Sequence, residues 1–98
     1  MLTHIVIWKY RDDIDEETRQ EHRNKLRKLP DFMPEVDIKS FNVGADILHL
    51  ERSYHTGLVA IYKDRAALEA YTIHSEHMAV AAFGRSISAH VASVDFED

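Results

Sequence analysis

The stretch that decides the fold is Leu2-Thr-His-Ile-Val-Ile-Trp-Lys-Tyr10. Its β-branched and aromatic residues predict an extended strand, because these residue types suit a pleated surface. The side chains alternate between two faces, with His4, Val6, Trp8 and Tyr10 on one face and Thr3, Ile5, Ile7 and Lys9 on the other. Both faces are mainly apolar, so we expect both to be covered in the folded protein.

The rest of the chain predicts three more strands and two or three helices. The first helix has an acidic cap at residues 13–17 and runs to Lys28. The three further strands are predicted at residues 36–45, 54–63 and 89–96. Between the last two strands lie a helix at residues 65–72 and a second helical segment at 77–83, which Ser75 caps. We expect His22 to point inward from the first helix, and residues 95–98 to form a solvated acidic tail. In the second strand, Phe41 and Val43 should face away from Ile38.

The order β-α-β-β-α-(α)-β indicates an α+β fold of the ferredoxin-like type, with a four-stranded antiparallel sheet and helices on one face. We expect one domain spanning residues 1–98. The helices leave the other sheet face bare, and in a chain of this length the available cover is a second copy. The sequence therefore predicts a homodimeric α+β barrel that associates through its sheet faces.

Composition narrows the classes of partner. The 12 basic residues against 17 acidic ones give a formal charge of −5 without a basic stripe, which argues against nucleic acid. The chain has no cysteine, which excludes disulfides, thiolate metal sites and a cysteine nucleophile. No apolar run approaches the length of a membrane span, so we expect no membrane association and a cytoplasmic protein.

The segment Tyr-Thr-Ile-His-Ser-Glu-His, residues 71–77, carries the chemistry-bearing side chains. On a continuous helix, Tyr71, His74 and His77 would share one broad face, although Ser75 places the segment at a junction between helices. A neutral His77 can act as a general base on a carbon next to a carbonyl, with Tyr71 donating a hydrogen bond to the enolate oxygen. The alternative is structural, with the histidines capping carbonyls at the junction.

A metal site is the other interpretation of the histidines. His4 and His90 lie on the first and last strands and could approach His74 and His77. The three-residue spacing of the last two lacks the His-Glu-x-x-His context of a zinc site, so we predict no metal and no cofactor.

Several segments together resemble the stress-responsive dimeric A/B barrel (Dabb) family. They are Thr3-His-Ile-Val6, Gly57-Leu-Val-Ala-Ile-Tyr62, Asp64-Arg-Ala-Ala-Leu-Glu-Ala-Tyr71, His74-Ser-Glu-His77 and Val94-Asp-Phe96. The resemblance covers nearly the whole chain and implies a dimeric α+β barrel with a cavity between sheet and helices. Many relatives have proline where this chain has Ser75.

The resemblance also implies candidate activities. One plant member of the family is a polyketide cyclase that performs an intramolecular aldol condensation, and its pocket residues match His4, Tyr71 and His77. A further pocket histidine of that cyclase falls on Thr56, beside His55. These matches imply a cavity for a small apolar, aromatic or polyketide-like molecule and aldol-type cyclase or lyase chemistry. The alternatives are a non-enzymatic stress-associated structural protein and a cofactor-independent, monooxygenase-like enzyme.

Overall fold

The computed structural model describes all residues from 1 to 98. Its elements are β1 (Leu2–Tyr10), α1 (Glu16–Lys28), β2 (Ile38–Ala45), β3 (Thr56–Tyr62), α2 (Arg65–Ile73), α3 (Ser75–Ile87) and β4 (Ser88–Glu97), with one 3₁₀ turn at Leu29–Phe32. This order confirms the predicted ferredoxin-like fold. A membrane span would need a longer and more continuously apolar helix than any of these.

The four strands form one antiparallel sheet in the order β2-β3-β1-β4. β1 is therefore an inner strand that pairs with β3 on one side and with β4 on the other. β2 lies at one edge, and β4 lies at the other. Because β1 contributes to both pairings, its side chains lie in the middle of each sheet face.

The helices cover one face of the sheet, and the core lies between the two layers. The largest fully buried side chains are those of Tyr10, Tyr62, Tyr71, Leu29, Met33, Leu58, His22 and Thr56. The even-numbered residues of β1 point into this layer, as the alternation predicts. His22 of α1 is fully buried, which confirms the prediction that it points inward.

In β2, the predicted placement of Ile38 is wrong. Ile38 packs against the core together with Phe41 and Val43 instead of facing away from them. The register with β3 shifts between Ile38 and Ser40, so the strict alternation skips a residue there. Because of this irregularity in the edge strand, Ile38, Phe41 and Val43 all lie on the face that packs against the core.

The helix junction differs in detail from the prediction. Asp64 caps α2 as expected, and its carboxylate accepts a hydrogen bond from the amide of Ala67. His74, rather than Ser75, caps α3, because its Nδ1 accepts from the amide of Glu76 at 3.1 Å. The extended backbone of His74 (φ −62°, ψ 135°) ends one helix and starts the next.

α3 continues to Ile87, beyond the predicted end at residue 83. Gly84 lies inside the helix, where a Cβ would come within 2.7 Å of His22 Nε2 and 3.2 Å of Trp8 Nε1. The glycine allows α3 to pack closely on these two rings. It marks a close contact and not a helix end.

The opposite face of the sheet is apolar and uncovered in the single chain. Val59, Val94 and Phe96 are 42%, 53% and 44% exposed, and the first two pair with Ile5 at the centre of this outer face. Such a surface is typical of an interface. The barrel formed by two copies stays a prediction at this point.

Candidate functional site

A cavity of about 370 Å³ lies between the sheet and helices α2 and α3. This volume falls within the range of about 300–1,000 Å³ found for small-molecule sites. Its lining residues are His4, Val6, Trp8, Leu26, Leu58, Leu68, Tyr71, Thr72, His77, Ala81, Arg85, Val91, Ser93 and Asp95. Apolar side chains predominate, and the polar ones come chiefly from β1, β4 and the two helices.

His4, Tyr71 and His77 all line this cavity, although each comes from a different element. The rings of Tyr71 and His77 have centroids 4.4 Å apart, and those of His4 and Tyr71 are 6.0 Å apart. The structure therefore brings together the three residues that the sequence singled out. Their chemical roles remain predictions.

The junction at His74 explains how Tyr71 and His77 meet. Tyr71 lies in the last turn of α2 and His77 in the first turn of α3, so the change of direction at His74 brings the two rings together. His74 itself does not line the cavity, and its Nε2 lies 3.3 Å from a carboxylate oxygen of Glu35. The segment lies at the junction between two helices, as predicted, and this junction separates His74 from the cavity-lining pair Tyr71 and His77.

The tautomer of His77 follows from its hydrogen bond. Its Nδ1 lies 2.8 Å from the carbonyl oxygen of Thr72, and because a carbonyl only accepts, Nδ1 must carry the proton. Burial lowers the pKa of His77, an effect that the Thr72 hydrogen bond opposes and the nearby His4 reinforces. The ring is thus neutral at pH 7, with the Nε2 lone pair free to accept a proton.

Tyr71 is a protonated hydroxyl at neutral pH. The residue is 2% exposed, and burial raises the pKa of its phenol above the ordinary value. The side chain of Tyr62 lies beside Tyr71, and the interaction between the two lowers the pKa of Tyr71 and raises that of Tyr62, which places Tyr62 on the donor side. The Tyr71 hydroxyl is therefore available to donate to an oxygen atom of a ligand.

Sequence reasoning missed Asp95, which it assigned to a solvated tail. Asp95 lies opposite His4 in the pairing of β1 with β4, and its carboxylate is hydrogen-bonded to His4 Nδ1. An ionised carboxylate only accepts, so the proton of this pair lies on Nδ1. The alternation of β4, which places Asp95 on the same side as Val91 and Ser93, is the signal that identifies it as a cavity residue.

Other candidate residues lie elsewhere. His90 pairs with Lys9, which places it on the outer face, away from His4. Thr56 is buried under α1, where it accepts from the Tyr10 hydroxyl at 2.8 Å, and His55 accepts from the backbone amide of Tyr10. Neither Thr56 nor His55 lines the cavity.

No group of three histidine or acidic side chains is placed to hold a metal ion.

Known structures share this fold closely. A dimeric ferredoxin-like protein from Thermobifida fusca matches with a TM-score of 0.87 and 25% identity, covering 99% of this chain and 90% of that one. A Dabb family protein from Mesorhizobium loti matches with a TM-score of 0.80 and 17% identity, covering 99% and 95%. A hydroxynitrile lyase from Passiflora edulis matches with a TM-score of 0.84 and 11% identity, covering 97% and 90%.

No curated protein matches the chain at a significant level. The family described as the stress responsive A/B barrel domain, Dabb, matches residues 2–98, which is nearly the full length. This match confirms the resemblance seen in the separate sequence segments. The chain therefore belongs to the stress responsive A/B barrel domain family.

Proposed function

We propose that this protein is a homodimer in which the cavity of each protomer binds a small aromatic or polyketide-like molecule and transfers a proton next to a carbonyl group. The observation that carries the proposal is the hydrogen bond from His77 Nδ1 to the Thr72 carbonyl. It fixes the tautomer with a free Nε2 lone pair, beside a protonated Tyr71 and inside an apolar cavity.

The proposed reaction begins when His77 Nε2 removes a proton from the carbon next to a ligand carbonyl. Tyr71 donates a hydrogen bond to the resulting enolate oxygen. The enolate carbon then attacks a second carbonyl of the same molecule, and the imidazolium of His77 returns its proton to the new alkoxide. This sequence is an aldol-type cyclisation, and the same two groups could run the retro-aldol cleavage of a β-hydroxycarbonyl compound, which is a lyase-type reaction.

The homodimer is supported by two observations. The Thermobifida fusca relative is a dimeric protein, and the outer sheet face of this chain is apolar and exposed. The Passiflora edulis hydroxynitrile lyase shares the fold, and at 11% identity that likeness extends to the fold alone.

A non-enzymatic, structural function is the second candidate, and the same hydrogen bond favours it. The Thr72 carbonyl lies in the last turn of α2, where helix carbonyls lack partners within the helix. His77 satisfies this carbonyl and thereby joins α2 to α3. In this interpretation the histidine stabilises the junction and has no part in a reaction.

Two substitutions of His77 distinguish the candidates. His77→Asn places an amide nitrogen near the position of Nδ1 and keeps a donor for Thr72, whereas His77→Gln places its amide near Nε2 and leaves Thr72 unpaired. If His77 is a general base, both variants lose about 10²–10⁴ of the rate. The rate is measured by NMR as exchange of the benzylic protons of phenylacetone for deuterium, and thermal unfolding of each variant is measured in parallel.

The two readouts separate chemistry from structure. Loss of exchange in His77→Asn with an unchanged unfolding temperature supports catalysis. The structural alternative is supported if wild-type protein gives no exchange above the buffer rate and only His77→Gln unfolds at lower temperature. Tyr71→Phe keeps the ring and removes the hydroxyl, so under the catalytic proposal it slows exchange while the ring contacts persist.

A further inference from the structure

One face of α3 lines the cavity at regular spacing. His77, Ala81 and Arg85 are each four residues apart, which places them in a row along the helix, and all three line the cavity. The side chain of Ala81 is small, so it leaves space between the His77 ring and the Arg85 guanidinium. Within the part of the lining that α3 contributes, His77 and Arg85 are thus the first and last residues of the row.

Arg85 brings a positively charged guanidinium to this cavity, and no carboxylate of the chain lies within ion-pair distance of it. Its side chain makes no hydrogen bond or ion pair with any other residue of the chain. The other charged side chain in the lining is Asp95, whose carboxylate is already paired with His4. A guanidinium without a partner is a preferred site for a carboxylate, which it can bind through two parallel hydrogen bonds.

We infer that the ligand is a small monocarboxylate with an apolar body, which binds with its carboxylate on Arg85 and its other end beside His77 and Tyr71. Arg85 is an exposed residue, so the carboxylate stays near water and its desolvation cost is small. The inference rests on the proposed function, because it names the class of molecule that the same cavity takes.

The spacing along α3 also limits the size of the ligand. Eight residues of helix separate the Cα atoms of His77 and Arg85 by about 12 Å along the axis. Helical side chains lean toward the N-terminus of the helix, and because the Arg85 side chain is the longer of the two, its guanidinium reaches further in that direction than the His77 ring does. A ligand made of a phenyl ring and a short chain has a length that suits this span. Its apolar body would contact the apolar side chains that line the cavity between His77 and Arg85.

The experiment uses Trp8, which lines the cavity and is the chain's single tryptophan, as a fluorescent reporter. The probes are 3-phenylpropanoate and 3-phenylpropanamide, which have nearly the same size and differ in charge. Both are titrated into wild-type protein, Arg85→Gln and Arg85→Lys. The control variant is Arg65→Gln, which removes an equal charge from a surface arginine that pairs with Glu69.

We expect wild-type protein to bind the carboxylate about tenfold more tightly than the amide, which is the size of one charge-assisted hydrogen bond. Arg85→Gln should abolish this preference and leave amide affinity unchanged, Arg85→Lys should keep part of it, and Arg65→Gln should keep all of it. Equal affinities in wild-type protein, or an equal loss for both probes in Arg85→Gln, overturn the inference and leave the cavity as a ligand site. Binding of neither probe overturns both the inference and the proposed function.

Discussion

At the scale of single residues, His22 is fully buried and lies outside the cavity. The Tyr10 hydroxyl donates its proton to Thr56 Oγ1. The same hydroxyl oxygen lies 2.7 Å from His22 Nδ1, and because its only proton is already used, it must accept there. His22 Nδ1 therefore carries a proton. His22 Nε2 is buried without a partner and lies against Gly84. A second proton there would find no acceptor. Burial, together with the neighbouring Arg23, lowers the pKa of His22 to about 4.

This residue makes the stability of the protein depend on pH. In the unfolded chain a histidine gains a proton near pH 6.5, whereas folded His22 does so only near pH 4, so stability falls as pH decreases through this interval. The shift corresponds to a loss of about 3 kcal/mol. Urea unfolding at fixed protein concentration, followed by circular dichroism from pH 7.5 to 4, measures it.

His22→Asn provides the matched control for this prediction. Its amide nitrogen can still donate to Tyr10, but the side chain no longer titrates. We expect a lower stability than wild type at pH 7.5 and a flatter dependence on pH between 6.5 and 4. If both proteins lose stability in parallel as the pH falls, the assignment to His22 is wrong.

At the scale of elements, the packing of α3 on the sheet and on α1 depends on the absence of a side chain at Gly84. Gly84→Ala would place a methyl group 2.7 Å from the Nε2 atom of His22 and 3.2 Å from the Nε1 atom of Trp8. Both of these rings are buried. Overpacking of this kind costs about 1–3 kcal/mol, although alanine favours the helix by up to about 1 kcal/mol. We expect net destabilisation in chemical denaturation.

Gly44→Ala is the appropriate comparison. No atom lies within 4 Å of the position that its Cβ would occupy, and Gly44 belongs to the edge strand β2. Gly44 is in register with Gly57 and Ile7 on the outer face, so an added methyl group meets no atom of its own chain, and we expect a smaller loss of stability than at Gly84. Equal effects at the two glycines would contradict the account of α3 packing.

The elements themselves could be predicted from the sequence, because their signals are local. The alternation in β1 and the acidic caps of α1 and α2 gave correct elements. The contacts between elements could not be predicted in the same way. The pairing of Asp95 with His4 depends on a register between residues 91 positions apart, and the approach of Gly84 to His22 depends on how two helices pack.

At the scale of the whole molecule, we predict that the outer sheet face joins two copies. Val59→Lys places a charge at the centre of this face, where a sheet-to-sheet interface would bury it without a partner. We expect the wild-type protein to have twice the mass of the chain in light scattering coupled to size-exclusion chromatography, and Val59→Lys to have the mass of one chain.

Ile73→Lys tests whether any added surface charge has the same effect. Ile73 is 74% exposed on α2, on the opposite side of the sheet from Val59. This variant should remain dimeric. A monomeric wild-type protein, or a Val59→Lys variant of unchanged mass, would place the interface elsewhere or remove it.

The inner position of β1 has a consequence for how the protein reaches its fold. β1 is the first strand made during synthesis, yet one of its two neighbours, β4, is made last of the four strands. Until residues 88–97 have left the ribosome, β1 keeps one unpaired edge. Contacts so distant in sequence slow folding and expose the nascent chain to aggregation. The sheet can therefore be completed only after the last strand has been synthesised.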